Sequence, residues 1–432
     1  MNEGGNNMKK LLALALAAAM SLSLAACGGN NNSGSANEPS SAGNPGGNPA
    51  VSTPVGGNSD FKVGAVYITS QNDVAGYTFQ HHNGITTAMR DLGLDPATQL
   101  IIVDNVPDND YTAVSNALDT LANQDVDIIF GISFGYIDAM ADKAEEYPDI
   151  IFSHGTGSKS NDTNFNNYFG RIYQARYLAG IAAGMKSLEL GNNSIGYVAA
   201  FNTGYAETCS GINGFALGAQ SANPDAVVHV NVINTWGDET LEKQAAQALI
   251  DSYNCGVISQ HCDSAQPQLV AQDNNVFGCG YNSDMTVQAP NSHLTAAIWH
   301  WNVYYQTAIQ AAMDCNGDAS QFVSKMGGSA YYAGLKEDFV DVSPLNGATV
   351  APNTQAVMDA VRALMISGQW DVFSGVKLSY NIGADGSVEI VKTDADLVDN
   401  AGNVIVAAGG PSVEDSVITG TMNYNVAGVQ EG

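Results

Sequence analysis

From residue 61 onward, short apolar runs alternate with segments of helical periodicity. Four runs are almost continuously apolar and rich in Val and Ile, which is typical of parallel strands covered on both faces. These runs are KVGAVYI, QLIIVDNV, VDIIFGIS and DIIFSHGTG. Between the second and the third run, Val114, Ala117, Leu118 and Leu121 form one apolar stripe, which predicts a helix over residues 111–124. The pattern predicts a βαβα sheet with helices on both of its faces.

A second set of apolar runs follows a long helix of small residues that is predicted at 173–188. Its strands are SIGYVAAF, AVVHVNVINTW, NCGVISQHC and NVFGCGYNSD. The segment HLTAAIWHWNVYYQTAIQAAMDC then predicts a strand leading into another long helix, and SAYYAGLKEDFVDVSPLN a further strand and loop. We therefore predict an α/β protein with two doubly wound parallel sheets, joined by a hinge and closing on a cleft at the carboxyl ends of the strands.

The predicted ligand-binding domain covers residues 61–432. We assign about 61–175 and 315–432 to its first lobe, and about 190–300 to its second lobe.

The amino-terminal 27 residues have the pattern of an export signal. Lys9 and Lys10 precede an apolar stretch at 11–19 that is too short to span a membrane, and two small residues precede Cys27. The order Leu-Ala-Ala-Cys resembles a bacterial lipoprotein signal, which implies that Cys27 is acylated and anchors the chain to the cell membrane. The remaining alternative is a plain secretory signal with a chance cysteine after it.

Residues 28–60 consist almost entirely of Gly, Asn, Ser, Pro and Ala, without an apolar period. Such a segment buries too little surface to fold, so we predict a disordered tether. A flexible chain of this length has a root-mean-square reach of roughly 30 Å. The tether would let the folded domain move near a membrane partner.

The chain is strongly acidic, with a net charge of -28 and only 15 basic residues. This balance argues against nucleic acid and against an anionic membrane surface as partners. Besides Cys27 there are five cysteines, Cys209, Cys255, Cys262, Cys279 and Cys315. Their odd number leaves at least one thiol unpaired and their spacing does not fit a structural zinc site, while disulfides and free buried thiols both remain open. We predict no cofactor and no metal.

Six short strings, in this order along the chain, carry a family resemblance: GYTFQHHNG, FGISFGYIDAM, ISQHCDS, GYNSDM, WHWNVYYQ and GTMNYNVAGV. Together they resemble the basic membrane protein family, whose members are substrate-binding lipoproteins of ABC transporters. The resemblance implies a type I periplasmic-binding-protein fold, a purine base or nucleoside as ligand, and an ABC permease as partner. The first loop, SQNDVAGYTFQHHNG, departs from the GD...FN pattern of the nucleoside-binding branch, which favours free bases such as adenine.

A purine has two flat apolar faces and a rim of hydrogen-bonding groups, so its site needs aromatic rings and a few polar groups. Ten residues after predicted strands or within the matched strings are candidate ligand contacts: Tyr77, Phe79, His81, Phe134, Gly135, Trp236, His261, Asp263, Asp284 and Trp299. The alternative role for each aromatic residue is core packing, and for each Asp it is a helix N-cap. The adjacent pair His81 and His82 does not suit one metal ion, since neighbouring helical residues point about 100° apart.

Three other functions are alternatives. An enzyme would use Asp and His of the cleft as acid and base, but the sequence has no G-x-S-x-G elbow, no H-E-x-x-H motif and no P-loop. A lipoprotein sensor that docks on a membrane receptor would share the fold, and so would a binding protein for a small solute other than a purine. The sequence favours an extracytoplasmic, lipid-anchored binding protein without catalysis.

Overall fold

The computed structural model describes residues 60–74 and 76–431. The predicted signal peptide, Cys27 and the predicted tether up to residue 59 lie outside the described residues. Within the described part, no helix combines the length and the apolar character needed to cross a membrane.

The elements are numbered along the chain. The strands are β1 Val63–Val66, β2 Leu100–Val103, β3 Ile128–Gly131, β4 Ile151–Gly155, β5 Phe165–Gly170, β6 Ser194–Ala199, β7 Val227–Val232, β8 Val257–His261, β9 Phe277–Asn282, β10 His293–Trp299, β11 Ala330–Ala333, β12 Val340–Val342, β13 Val376–Ile382, β14 Val388–Asp394, β15 Leu397–Val398, β16 Val404–Val406 and β17 Val429–Glu431. The helices are α1 Gly76–Asp91, α2 Pro96–Gln99, α3 Tyr111–Ala122, α4 Ile137–Glu146, α5 Ile172–Leu190, α6 Ala206–Ala222, α7 Glu239–Tyr253, α8 Gln266–Asp273, α9 Trp301–Met313, α10 Phe322–Lys325, α11 Thr354–Ile366 and α12 Asp415–Gly420.

The first lobe is built on a six-stranded sheet in the order β11-β5-β4-β3-β1-β2, and all of its strand pairs are parallel. Every residue of β1 and β3 is buried, because helices cover both faces of the sheet. The predicted apolar stripe of α3 is also buried, and Asp110 caps this helix by accepting a hydrogen bond from the backbone N–H of Ala113.

The second lobe is built on a seven-stranded sheet in the order β12-β10-β9-β8-β6-β7-β17. Its pairs are parallel except for β12, which runs antiparallel to β10. The predicted α/β fold with two doubly wound sheets is confirmed.

The chain crosses between the lobes three times: after β5, after β10, and between β11 and β12. The backbone N–H of Arg171 donates to the carbonyl of Ala333 at 2.7 Å, and that of His300 donates to the carbonyl of Phe339 at 2.9 Å. These bonds join the crossing segments side by side, so the three connections form one hinge region.

The carboxyl-terminal segment is divided between the lobes in a way that the sequence analysis did not predict. The strand β11 belongs to the first sheet, but β12 and β17 belong to the second sheet, so the assignment of residues 315–432 to the first lobe is wrong for these two strands. Two hairpins that were not predicted, β13-β14 and β15-β16, also follow β12. Strand pairing over long sequence separations decides this division, and the local apolar pattern does not encode it.

The small residues predicted for the long helix allow a close approach of α5 to α6. A Cβ atom on Gly180 would lie 2.1 Å from the carbonyl oxygen of Phe215, and one on Gly218 would lie 2.0 Å from the carbonyl oxygen of Tyr177. Larger side chains at these two positions would force the helices apart.

Candidate ligand-binding cleft

A cavity between the lobes encloses about 420 Å³ of empty space, including the solvent at its mouth. It lies at the carboxyl ends of strands from both sheets, as the sequence predicted. The lining residues of the first lobe are Ile68, Tyr77, Ser133, Phe134, Thr156, Phe169 and Trp301, and those of the second lobe are Glu207, Trp236, Asp263, Tyr281 and Trp299.

One wall of the cavity is a stack of rings. Trp299 and Trp301 stack with their ring centroids 4.5 Å apart, and His81 stacks on Trp301 at 4.0 Å. Tyr77 meets Trp301 edge-on, with ring planes inclined by 85°. Because these rings hold one another in place, the cavity presents a fixed flat apolar surface.

Aromatic contacts beside the cavity also join the two lobes. Phe134 of the first lobe meets Tyr205 of the second lobe at a centroid distance of 5.6 Å, and Tyr205 in turn meets Trp236 at 5.8 Å. At the amino terminus of α1, Gly76 lies so close to the carbonyl oxygen of Asp263 that a Cβ atom would be 2.9 Å from it. The lobes are therefore in contact at two places beside the cavity.

Two carboxyl groups of the second lobe line the cavity, and none of the described lining residues is Lys or Arg. Burial raises the pKa of Glu207 to about 7, an effect that the positive charge of Arg176 partly offsets. Burial and the nearby negative charge of Glu242 raise the pKa of Asp263 to about 8. Both acids are therefore poised near neutral pH, where they can accept hydrogen bonds as carboxylates or share a proton with a ligand.

Asp263 is held by one hydrogen bond of its backbone and one of its side chain. Its N–H donates to the carbonyl oxygen of Trp236 at 2.9 Å, and its Oδ1 accepts from Nδ2 of Asn282 at 3.2 Å. Arg176 is buried behind this wall, with its guanidinium 4.0 Å from the centroid of the Tyr281 ring. The charge of Arg176 thus faces an aromatic ring and leaves the cavity free of basic groups.

Five of the ten predicted contact residues line the cavity. They are Tyr77, Phe134, Trp236, Asp263 and Trp299.

The other five do not line it. His81 is buried behind Trp301, and burial lowers its pKa well below its ordinary value, so it forms part of the neutral ring stack. His261 is fully buried, with Nε2 lying 3.9 Å from Oε1 of Glu207. Both histidines therefore support lining residues from behind.

The remaining three predicted contact residues, Asp284, Phe79 and Gly135, do not line the cavity either. Asp284 accepts hydrogen bonds from the backbone N–H and from the hydroxyl of Thr286 within a turn between β9 and β10, so it stabilises this turn and does not cap a helix. Phe79 is half-buried on α1, and Gly135 packs against the backbone of Asp108. The expected cleft contact of Asp284 is therefore not present in this structure.

Glu207 is the main cavity residue that the sequence analysis missed. It lies in the first turn of α6, directly after the loop that follows β6. Its place at a carboxyl end of the second sheet matches that of Trp236 after β7 and Asp263 after β8, so its position after a strand is the sequence signal that indicates it. Trp301, Tyr281 and Phe169 were also missed as contacts, since aromatic residues are more often part of the core.

The five cysteines of the described residues form no disulfide. The five cysteines Cys209, Cys255, Cys262, Cys279 and Cys315 are all free and buried. They act as small apolar core residues.

Two parallel α/β lobes with three crossings, and a cavity at the carboxyl ends of both sheets, define a type I periplasmic solute-binding fold. Residues 61–366 match the family of PnrA-like ABC transporter substrate-binding proteins, and the chain belongs to this family. The family resemblance drawn from the sequence is confirmed. The protein is thus an ABC transporter substrate-binding protein, and the role of this family is to bind a small solute rather than to catalyse a reaction.

Two curated relatives differ in their named ligands. A purine-binding protein of Brucella abortus is 31% identical over 372 residues, which is 86% of this chain and 93% of that protein. A Haloferax volcanii protein named as an ABC transporter glucose-binding protein is 37% identical over 254 residues, which is 59% of this chain and 61% of that protein. Among solved structures, an ABC transporter solute-binding protein of Aeropyrum pernix has a TM-score of 0.58 at 15% identity, covering 75% of this chain and 95% of that one, and supports the fold.

Proposed function

We propose that this protein captures a purine base or nucleoside in the cleft between its lobes and delivers it to an ABC permease. The observation that carries the proposal is the pairing of a flat ring stack, Trp299 on Trp301, with two carboxyl groups, Glu207 and Asp263, in one cavity. The similarity to the purine-binding protein of Brucella abortus supports it.

The chemistry of the cavity suits an N–H-rich heterocycle. A purine ring stacks on an aromatic face, which contributes about 1–3 kcal/mol per base. The exocyclic amine and ring N–H groups of the base donate to Glu207 and Asp263, which lack a basic partner within the described lining. A neutral carboxyl also matches the adjacent acceptor and donor of an aminopurine edge, because it donates through its O–H and accepts through its carbonyl.

Closure of the lobes would be the signal for delivery. A ligand shifts a hinged protein toward its closed state only if it contacts that state better than the open one. A base between Trp299 and Asp263 on one side and Tyr77 and Phe134 on the other would touch both lobes.

The proposal includes the site of action. Binding proteins of ABC importers work outside the cytoplasm, and the lipoprotein-like signal would place this chain on the outer face of the cell membrane through acylated Cys27. The Gly- and Ser-rich segment 28–60 would then act as the tether. Mass spectrometry of the protein purified from membranes tests this part, because an unmodified Cys27 would overturn it.

Titration calorimetry tests the ligand. The purified chain is unfolded and refolded to remove ligand carried through purification, and is then titrated with adenine, guanine, adenosine, inosine and glucose. We expect micromolar or tighter binding of a purine, and a loss of roughly tenfold or more in the variants Glu207→Gln and Asp263→Asn, since a hydrogen bond between charged or polar partners is lost. The matched control Asp284→Asn, whose carboxylate lies outside the cavity, keeps the affinity of the wild type.

A sugar is the second candidate ligand, favoured by the Haloferax volcanii relative. Aromatic rings also pack against the apolar faces of sugars, and carboxylates accept from their hydroxyl groups. Binding of glucose without binding of any purine would reject the purine proposal and keep the hinged fold.

A further inference from the structure

Glu242 is a fully buried carboxyl group that does not line the cavity. It lies on α7, and in the part of the chain that the structure describes no Lys, Arg or His forms an ion pair with it. A buried carboxyl group is costly unless its oxygens accept hydrogen bonds. The hydrogen-bond donors around Glu242 therefore indicate the role of this side chain.

The two oxygens of Glu242 accept hydrogen bonds from two different loops. Oε1 accepts from the backbone N–H of Asp238 at 3.3 Å. Oε2 accepts from the backbone N–H of Ser264 at 3.1 Å and from its hydroxyl at 2.6 Å. One side chain thus links the β7-α7 loop to the β8-α8 loop.

Each of these loops carries a residue of the cavity. Trp236 precedes Asp238 by two positions, and Asp263 directly precedes Ser264. The loops are also joined by the hydrogen bond from the N–H of Asp263 to the carbonyl oxygen of Trp236. Loss of the Glu242 contacts would leave this backbone bond and an exposed contact between Gln266 and Glu239 to hold the two loops in register.

We propose that Glu242 is a positioning residue, which fixes Trp236 and Asp263 relative to each other and so sets the ligand affinity of the cavity. This inference rests on the proposed function of the cleft as a ligand site. It goes beyond that function because Glu242, which does not line the cavity, would control the ligand affinity through the residues that it positions.

A merely structural role at the start of α7 would predict a different outcome. Glu242 also places a negative charge near Asp263, where Glu207 and Asp108 are the other acidic groups that face it and Asn282 donates to it. Replacing Glu242 by Gln removes that charge and lowers the pKa of Asp263. The pH at which ligand affinity changes should therefore move to a lower value, which a change in helix stability alone would not produce.

The test compares Glu242→Gln with Glu239→Gln in the full chain. Glu239 lies in the first turn of the same helix but is exposed, and its Oε2 accepts a long hydrogen bond from Nε2 of Gln266 at 3.4 Å. Calorimetry with adenine between about pH 6 and pH 9 should show a loss of roughly tenfold and a lower pH midpoint in Glu242→Gln. Glu239→Gln should match the wild type in both.

Equal affinity and an equal midpoint in Glu242→Gln and the wild type would overturn the proposal. If Glu242→Gln does not fold, Ser264→Ala removes the hydroxyl contact with Glu242, together with the hydrogen bond that Ser264 Oγ accepts from the N–H of Gln266. It should give a smaller loss of the same sign, while an unchanged affinity would reject the inference. If the wild type binds no purine, the proposed function fails, and quenching of tryptophan fluorescence by acrylamide tests the loop separately. The ligand-free Glu242→Gln protein should then be quenched more than Glu239→Gln, and equal quenching would reject the positioning role.

Discussion

Trp299 and Trp301 stack with ring planes inclined by only 14°, although they belong to different lobes. Trp299 is the last residue of β10 in the second sheet, and Trp301 is the first residue of α9, which packs against α1 in the first lobe. His300, between them, lies in one of the three segments that cross between the lobes. The aromatic wall of the cavity is therefore part of the hinge region itself.

The first prediction concerns this wall. Trp299→Ala should weaken purine binding by roughly 10- to 100-fold, because stacking of a base on an aromatic ring contributes about 1–3 kcal/mol. Trp299→Phe keeps an aromatic face and should retain most of the affinity, which calorimetry measures. Wild-type affinity in a folded Trp299→Ala protein would show that the ligand does not stack on this ring.

The second prediction concerns pH and stability. Burial raises the pKa of Asp263 from 3.8 to about 8, so between these values the folded protein keeps a proton that the unfolded chain has lost. The contribution of this group to stability is fully present below pH 3.8 and is lost as the pH rises to about 8. Asp263→Asn should therefore raise the melting temperature of the ligand-free protein at pH 8 by roughly a few degrees and flatten its decline with pH.

Melting curves of the ligand-free protein from about pH 5 to about pH 8.5 check this sign. The control Asp284→Asn removes one exposed carboxylate and leaves Asp263 in place, so it should show the same decline with pH as the wild type. Identical melting temperatures for Asp263→Asn and the wild type at every pH would contradict the raised pKa.

The third prediction concerns closure. Gly76 has φ +86 and would place a Cβ atom 2.9 Å from the carbonyl oxygen of Asp263 in the other lobe. Gly93 has φ +78 but has no atom within 4 Å of a Cβ position, so it is a control with the same backbone strain. Gly76→Ala should lower ligand affinity by roughly tenfold while Gly93→Ala does not, since only the first substitution holds the lobes apart.

Small-angle scattering provides a second measure of closure. Ligand should reduce the radius of gyration of Gly93→Ala as in the wild type, and should reduce it less in Gly76→Ala. The same affinity in both variants would show that the contact between Gly76 and Asp263 is not needed for binding.

The fourth prediction concerns the contact of α5 with α6. Gly218→Ala would place a methyl group 2.0 Å from the carbonyl oxygen of Tyr177, and such overpacking costs about 1–3 kcal/mol. The free energy of unfolding in urea should fall by that amount. Gly420→Ala, at the end of α12 with no atom within 4 Å of its Cβ position, should change it little.

The amino-acid sequence by itself determined most of the strands and helices of both sheets from 61 to about 313, but it did not indicate β5. Their apolar runs and stripes repeat with the periods of buried strands and of helices packed on a sheet, and these periods are local properties of the chain. Because parallel strands end at the same edge, the sequence also placed the cleft and five of its lining residues, among them Tyr77 and Asp263.

Only the tertiary structure decided which side chains share the cavity and which lobe each late strand joins. His81 and Asp284 lie near strand ends as Tyr77 and Asp263 do, but one is covered by Trp301 and the other turns to Thr286. Glu207 enters the cavity because α6 begins beside it, and β17 joins the second sheet because it pairs with β7 about 200 positions earlier. Side-chain direction and long-range strand pairing depend on packing between distant elements, which local periodicity does not record.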